Sequence, residues 1–87
     1  MHTFTILDVR EPEEYALGHI DDAINIPSQS LMAGMPELQD TPKDTPLLVY
    51  CRTGSRSGIA LQILKQMGFT NVTNGINQHI VKQRFGL

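Results

Sequence analysis

Short apolar runs alternate along this chain with segments whose apolar residues recur at helical spacing. Thr3-Phe4-Thr5-Ile6-Leu7-Asp8-Val9 is rich in β-branched residues and predicts a first strand. Arg10 to Leu17 reads as a short helix, with Pro12 in its first turn, Glu11, Glu13 and Glu14 at its positive end and Gly18 as its stop. Ala23-Ile24-Asn25-Ile26 predicts a second short strand, ended by Pro27. The stretch from Ser28 to Pro46 is less regular. Ser30 could cap a helical segment through Leu38, but Gly34 and Pro36 weaken it, and Asp40 to Pro46 is a polar connection. Leu47-Leu48-Val49-Tyr50 is an uninterrupted apolar run and predicts a buried, central strand. A helix follows from about Ser57 to Met67, with Ile59, Ala60, Ile63, Leu64 and Met67 on one face and Gly68 as its stop. Asn71-Val72-Thr73 predicts a last strand, and Ile76 to Phe85 a terminal helix with Ile76, Ile80, Val81 and Phe85 inward.

Strands therefore alternate with helices along the whole chain. That order predicts an α/β fold, a small parallel β-sheet with helices on both faces. With 87 residues, the expectation is one domain spanning 1–87, near the lower end of what folds unaided. In such sheets ligands bind at the carboxyl ends of the strands. The sole cysteine, Cys51, stands at that end of the predicted central strand.

The cysteine's neighbours bear on its chemistry. Arg52-Thr53-Gly54-Ser55-Arg56-Ser57 is a small, polar and cationic loop between a strand and a helix. A thiolate is the nucleophilic form of cysteine, and a helix start stabilises an anion through its free N–H groups and the positive end of its dipole. Arg52 and Arg56 add positive charge. Free cysteine is commonly a small core residue, but a core cysteine is not normally followed by two arginines, a glycine and three hydroxyls. The loop favours a reactive thiol, in an electropositive and partly exposed setting.

Charge and composition narrow the partners. The net charge of −2 argues against a broad nucleic-acid-binding face. The positive charge concentrated in the loop suits a small anion instead. A single cysteine excludes an internal disulfide and a multi-cysteine metal site, so no metal or other cofactor is expected. No apolar stretch approaches the ~20 residues that span a bilayer, so no membrane partner is expected either. The N-terminus lacks a basic leader with a long apolar core, which points to a cytoplasmic protein, or a periplasmic one whose signal peptide has been removed. A monomer is expected.

Three segments, taken in order, resemble the rhodanese family of single-domain sulfurtransferases. They are Leu7-Asp8-Val9-Arg10-Glu11-Pro12-Glu13-Glu14-Tyr15, then Gly18-His19-Ile20-Asp21-Asp22-Ala23-Ile24-Asn25-Ile26-Pro27, then Cys51 through Arg56 with the helix up to Gly68-Phe69. The resemblance implies a two-step transfer. A donor such as thiosulfate gives its outer sulfur to Cys51, leaving a persulfide, and a thiophilic acceptor such as cyanide, a thiol or a protein removes it. It implies Cys51 as the catalytic residue and Arg52, Thr53, Gly54, Ser55, Arg56 and Ser57 as the substrate-binding loop. Loop N–H groups would converge on the anionic sulfur, and the arginines and hydroxyls would hold the donor. A basic residue at Arg52 leans toward thiosulfate over 3-mercaptopyruvate. Asp8, Arg10 and His19 are read as structural, with Arg10 either pairing with an acidic residue or lining the pocket.

The chain departs from the family pattern in two places. It begins almost on the Asp8-Val9-Arg10 strand, and Asn74-Gly75-Ile76 stands where the family often has a double glycine followed by a tryptophan. Two rival readings remain at this point. A cysteine-dependent phosphatase or arsenate reductase shares the strand–Cys–loop–Arg–helix order but uses five residues between Cys and Arg, against four here. A non-enzymatic persulfide carrier or binding module would use the same thiol to hand sulfur to a protein partner.

Overall fold

The computed structural model describes residues 4–87, so His2 and the predicted strand start at Thr3 lie outside the described residues. The chain runs β1 (Thr5–Asp8), α1 (Pro12–Leu17), β2 (Ile24–Asn25), α2 (Ser28–Met32), a 3-10 turn (Pro36–Leu38), β3 (Leu47–Tyr50), α3 (Ser55–Gln66), β4 (Val72–Ile76) and α4 (Gln78–Phe85). The strands form one four-stranded sheet in the order β2-β1-β3-β4. Every pairing is parallel. The expected α/β architecture, a small parallel sheet with helices on both faces, is the one observed.

Side chains alternate across a strand, so a strand buried on both faces must be apolar throughout. β3 meets that requirement with all four residues buried. Leu47 and Val49 point to one side, joining Leu7, Val9, Ile26, Met35, Leu38, Ala60, Leu64 and Phe69 from β1, the α2 region and α3. Leu48 and Tyr50 point to the other, joining Ile6, Ile20, Ala23 and Val81, with Tyr15 of α1 and Phe85 of α4 against them. The edge strand β2 is only two residues long.

Several expectations shift in detail. The helix expected from Ser30 to Leu38 is split, because Gly34 (φ 86°) and Met35 (φ 53°) both adopt left-handed backbone. Met35 is thereby turned fully into the core. The helix expected from Ser57 starts two residues earlier, at Ser55, because Gly54 takes the left-handed N-cap position (φ 97°) and closes the loop sooner. Ile59, expected on the inward face, is 62% exposed. The last strand is longer than expected and carries a register shift opposite Val49 and Tyr50, which places Ile76 in β4 rather than in the terminal helix. Val81 is the fully buried residue of that helix. No helix among the described residues is long and apolar enough to cross a membrane.

Chain direction across the sheet reverses between β1 and β3: β2 lies on one side of that pair and β4 on the other. The carboxyl ends of β1 and β3 therefore open at a topological switch point, where parallel α/β sheets bind ligands. Asp8 ends β1 and Cys51 follows β3.

Candidate active site

β3 delivers Cys51 into the mouth of α3. Gly54, the N-cap residue of α3, has no side chain with which to cap the helix, and the sulfur of Cys51 takes that place. Cys51 Sγ accepts from the Gly54 N–H at 3.0 Å and from the Ser57 N–H at 3.4 Å. The two donors belong to the N-cap and third residues of the helix, whose N–H groups have no partner inside it. Gly54 has to be glycine on two counts. Its φ of 97° is a left-handed conformation, and a Cβ there would lie 3.1 Å from Ile76 Cγ2.

Cys51 itself is 1% exposed, so the thiol lies on the floor of its loop rather than partly exposed as the sequence suggested. The loop folds down over it to bring the N–H groups within reach. Burial pushes the thiol pKa up, but the Ser57 hydroxyl and the backbone N–H groups of Ser57, Gly54 and Thr53 outweigh it, leaving the pKa lowered. An apolar core site would have produced the opposite shift. Cys51 packs within the buried cluster on the Leu47 and Val49 side of the sheet, and the donors around its sulfur distinguish this setting from one enclosed by apolar side chains alone.

The rest of the loop divides by position. Ser57 is fully buried, its hydroxyl 3.4 Å from Cys51 Sγ. Thr53 and Ser55 are exposed and face each other, hydroxyl to hydroxyl at 3.4 Å, so neither hydroxyl is engaged by the sulfur. Arg52 is exposed and belongs to neither ion pair found among the described residues. Arg56, expected to add positive charge at the loop, is paired within the fold. Its guanidinium makes a two-pronged pair with the Glu14 carboxylate, at 2.7 and 3.0 Å. Much of its charge is thus matched within the fold, and its side chain ties α3 to α1. The Arg56 hydrogen bonds, joined by the Glu11 N–H donated at 3.0 Å, hold the Glu14 carboxyl down at about 2.

Beside the loop lies an open cavity of about 470 Å³ lined by Arg10, Glu14, Leu17, Gly18, Arg52 and Gln78. Arg10 both pairs and lines. It donates to Asp8 through Nη2 at 2.7 Å and through Nε at 3.0 Å, and to the Gly18 carbonyl at 2.7 Å. Asp8 in turn accepts from the Tyr50 hydroxyl at 2.7 Å, and that hydroxyl accepts from the Ile20 N–H at 3.0 Å. This buried network fixes the ends of β1 and β3 against each other. His19 stacks on Tyr15 and hydrogen-bonds its carbonyl oxygen, which gives it a structural place.

Two residues at the site were not singled out from sequence. Glu14 is recruited by Arg56 across 42 residues of chain. Asn74 of β4 reaches the loop, its Oδ1 lying 2.7 Å from Ser57 Oγ. The one signal for Asn74 was its occurrence in the segment where a double glycine was expected.

The rhodanese-like domain family matches residues 1–77. Over 72 residues the chain is 42% identical to the thiosulfate sulfurtransferase PspE of Escherichia coli (strain K12), a match that takes in 78% of this chain and 64% of that protein's length. It is 38% identical over 82 residues to a sulfurtransferase of Allochromatium vinosum, covering 94% of this chain and 74% of the relative. Among solved structures, a rhodanese with anions from E. coli has a TM-score of 0.78 at 35% identity, covering 88% of this chain and 89% of that one.

Proposed function

The chain belongs to the rhodanese-like family, and on that premise we propose that it is a rhodanese-type sulfurtransferase working through a Cys51 persulfide. The observation that carries the reading is the convergence of the Gly54 and Ser57 N–H groups on Cys51 Sγ. Donors fixed there stabilise an anionic sulfur whether it is the thiolate or the persulfide that replaces it.

In the first step the Cys51 thiolate attacks the outer sulfur of a donor such as thiosulfate. A new S–S bond forms, the donor's S–S bond breaks, and sulfite leaves with the electron pair. In the second step cyanide attacks the outer sulfur, leaving as thiocyanate and returning the thiolate. A thiol acceptor takes the same sulfur as a persulfide of its own. Thiosulfate is a dianion, and Arg52 is the cation best placed to meet it, beside a cavity that Arg10 also lines. The E. coli rhodanese was solved with anions, which supports an anionic donor for this chain.

A protein thiol as acceptor is favoured by one further observation. Met32 and Ile59, 90% and 62% exposed, flank an apolar cleft of about 210 Å³ that also includes the Arg56 side chain at the loop. Steady-state turnover of thiosulfate and cyanide to thiocyanate tests the enzyme reading. Parallel double-reciprocal lines and loss of activity in Cys51→Ser are the expected result. Normal turnover in that variant would remove Cys51 from the reaction, and sulfur loading without turnover would favour a carrier.

A further inference from the structure

The hydroxyl of Ser57 has one proton and three neighbours that can accept it. Asn74 Oδ1 lies 2.7 Å away, the Gly54 carbonyl 3.2 Å and Cys51 Sγ 3.4 Å. The orientation of the Asn74 amide follows from chemistry. Its Oδ1 also faces the Ile76 N–H at 2.9 Å, and a backbone N–H can only donate. The atom facing Ser57 is therefore an acceptor, and Ser57 must donate to it. In that arrangement the Ser57 oxygen presents a lone pair to the sulfur and accepts from the neutral Cys51 S–H. The Ser57 hydroxyl lowers the thiol pKa by donating to the thiolate, and to do so once Cys51 ionises it has to leave Asn74.

We propose that Asn74 is a positioning residue that sets the ionisation of Cys51 by competing with its sulfur for the Ser57 proton. The proposal deepens the reading of Cys51 as the sulfur-bearing group, yet it concerns the free thiol and is tested without sulfur transfer. The charged groups on the loop and the elements around it include Arg52, Arg56 with its partner Glu14 on α1, Glu11 at the start of α1, the Asp8–Arg10 pair at the end of β1, Lys65 at the far end of α3, and His79, Lys82 and Arg84 on α4. β4 and α2 carry no charged residue. A substitution at Asn74 leaves all of these charges unchanged, and a Ser57→Ala background separates loss of the Ser57 hydrogen bond from loss of the Asn74 contacts to the Gly54 carbonyl and the Ile76 N–H.

The experiment is the pH dependence of Cys51 alkylation by iodoacetamide in the full chain. Asn74→Ala and Asn74→Gly free the Ser57 hydroxyl for the thiolate. The inflection is expected to fall by roughly half to one pH unit, the scale of one neutral hydrogen bond. In a Ser57→Ala background the same substitutions are expected to shift nothing. An unchanged or raised inflection in the single variants, or a fall that persists without Ser57, overturns the proposal. Should the variants not fold, the wild-type protein decides. The Asn74 side-chain carbonyl carbon should titrate with Cys51 by NMR, and that titration should vanish in Ser57→Ala. Its absence in the wild type, or its survival without Ser57, contradicts the competition. Failure of these tests leaves the sulfurtransferase reading standing, while a protein that passes them but takes no sulfur separates the two claims.

Discussion

Arg56 and Glu14 stand 42 residues apart in the chain and meet guanidinium to carboxylate, through contacts of 2.7 and 3.0 Å. The pair joins the first turns of α3 and α1, so the loop that carries Cys51 is braced from outside its own segment. Glu14 is held at about 2, against an ordinary value of 4.5, so its ionised form is the one the fold favours. The resulting stabilisation is complete above about pH 4.5 and is lost as the pH falls toward 2. Side-chain exposures of 40% for Arg56 and 28% for Glu14 limit the contribution to under about 1 kcal/mol. Denaturant unfolding of wild type and Glu14→Gln should therefore differ slightly at pH 7 and converge near pH 2. A difference that grows on acidification would contradict the pairing.

Arg52 is exposed, lines the cavity beside the loop and stands outside the ion pairs found among the described residues. Arg52→Ala should raise KM for thiosulfate about tenfold, the scale of one charge-assisted contact, with a smaller effect on kcat and almost none on stability. The effect should weaken at high salt, as expected for an exposed charge. A variant with unchanged KM at low salt would show that the donor is met elsewhere.

Tyr50 closes the buried Asp8–Arg10 network. Tyr50→Phe removes the hydroxyl from between Asp8 and the Ile20 N–H, leaving both without that partner, and should cost about 1–3 kcal/mol. Burial, reinforced by donation to Asp8, pushes the phenol above its ordinary range, while the Ile20 N–H pulls it partly back. Because the neutral phenol is favoured in the fold, its contribution is intact below pH ~10 and declines as the pH rises beyond that. The chemical denaturation midpoint should fall in wild type above pH ~10 and less steeply in Tyr50→Phe. A variant as stable as wild type would refute the network's structural role.

The end of β4 combines two opposite tolerances. A Cβ added at Gly75 would lie 2.6 Å from Val81 Cγ2, 3.2 Å from Leu48 Cδ1 and 3.3 Å from the Val49 carbonyl oxygen. Gly75→Ala should cost about 1–3 kcal/mol through overpacking between β4, β3 and α4. Ile76, by contrast, holds φ at 73°, a strained conformation for a β-branched residue. Ile76→Gly relieves that strain while losing the contact over Gly54, so its net effect should stay within about 1 kcal/mol. Thermal unfolding of the pair checks both, and a large loss in Ile76→Gly would mean the apolar contact dominates.

How much of this was legible in the sequence depends on the range of the interactions. Leu47 to Tyr50 is buried on both faces, so composition alone marked it, with the observed bounds, and Cys51 followed at its end. The loop's cations and glycine were equally visible. The start of α3 is not legible in the sequence, because Gly54's left-handed cap acts through φ, which residue identity only permits. Ile59 turned outward because the inward face of α3 is set by Ala60 and Leu64, four apart, a narrower stripe than the apolar positions suggested. Glu14 and Asn74 could not be placed beside the loop from local pattern. Their positions arise from the parallel pairing of β1 and β4 with β3, which brings distant segments to one end of the sheet.

If Cys51 carries a transferable sulfur, the intact mass of the protein reveals it. Incubation of the reduced protein with thiosulfate should add one sulfur atom, which cyanide removes and which Cys51→Ser never acquires. A wild-type protein that gains no sulfur from thiosulfate or mercaptopyruvate, or a Cys51→Ser protein that does, would contradict the account.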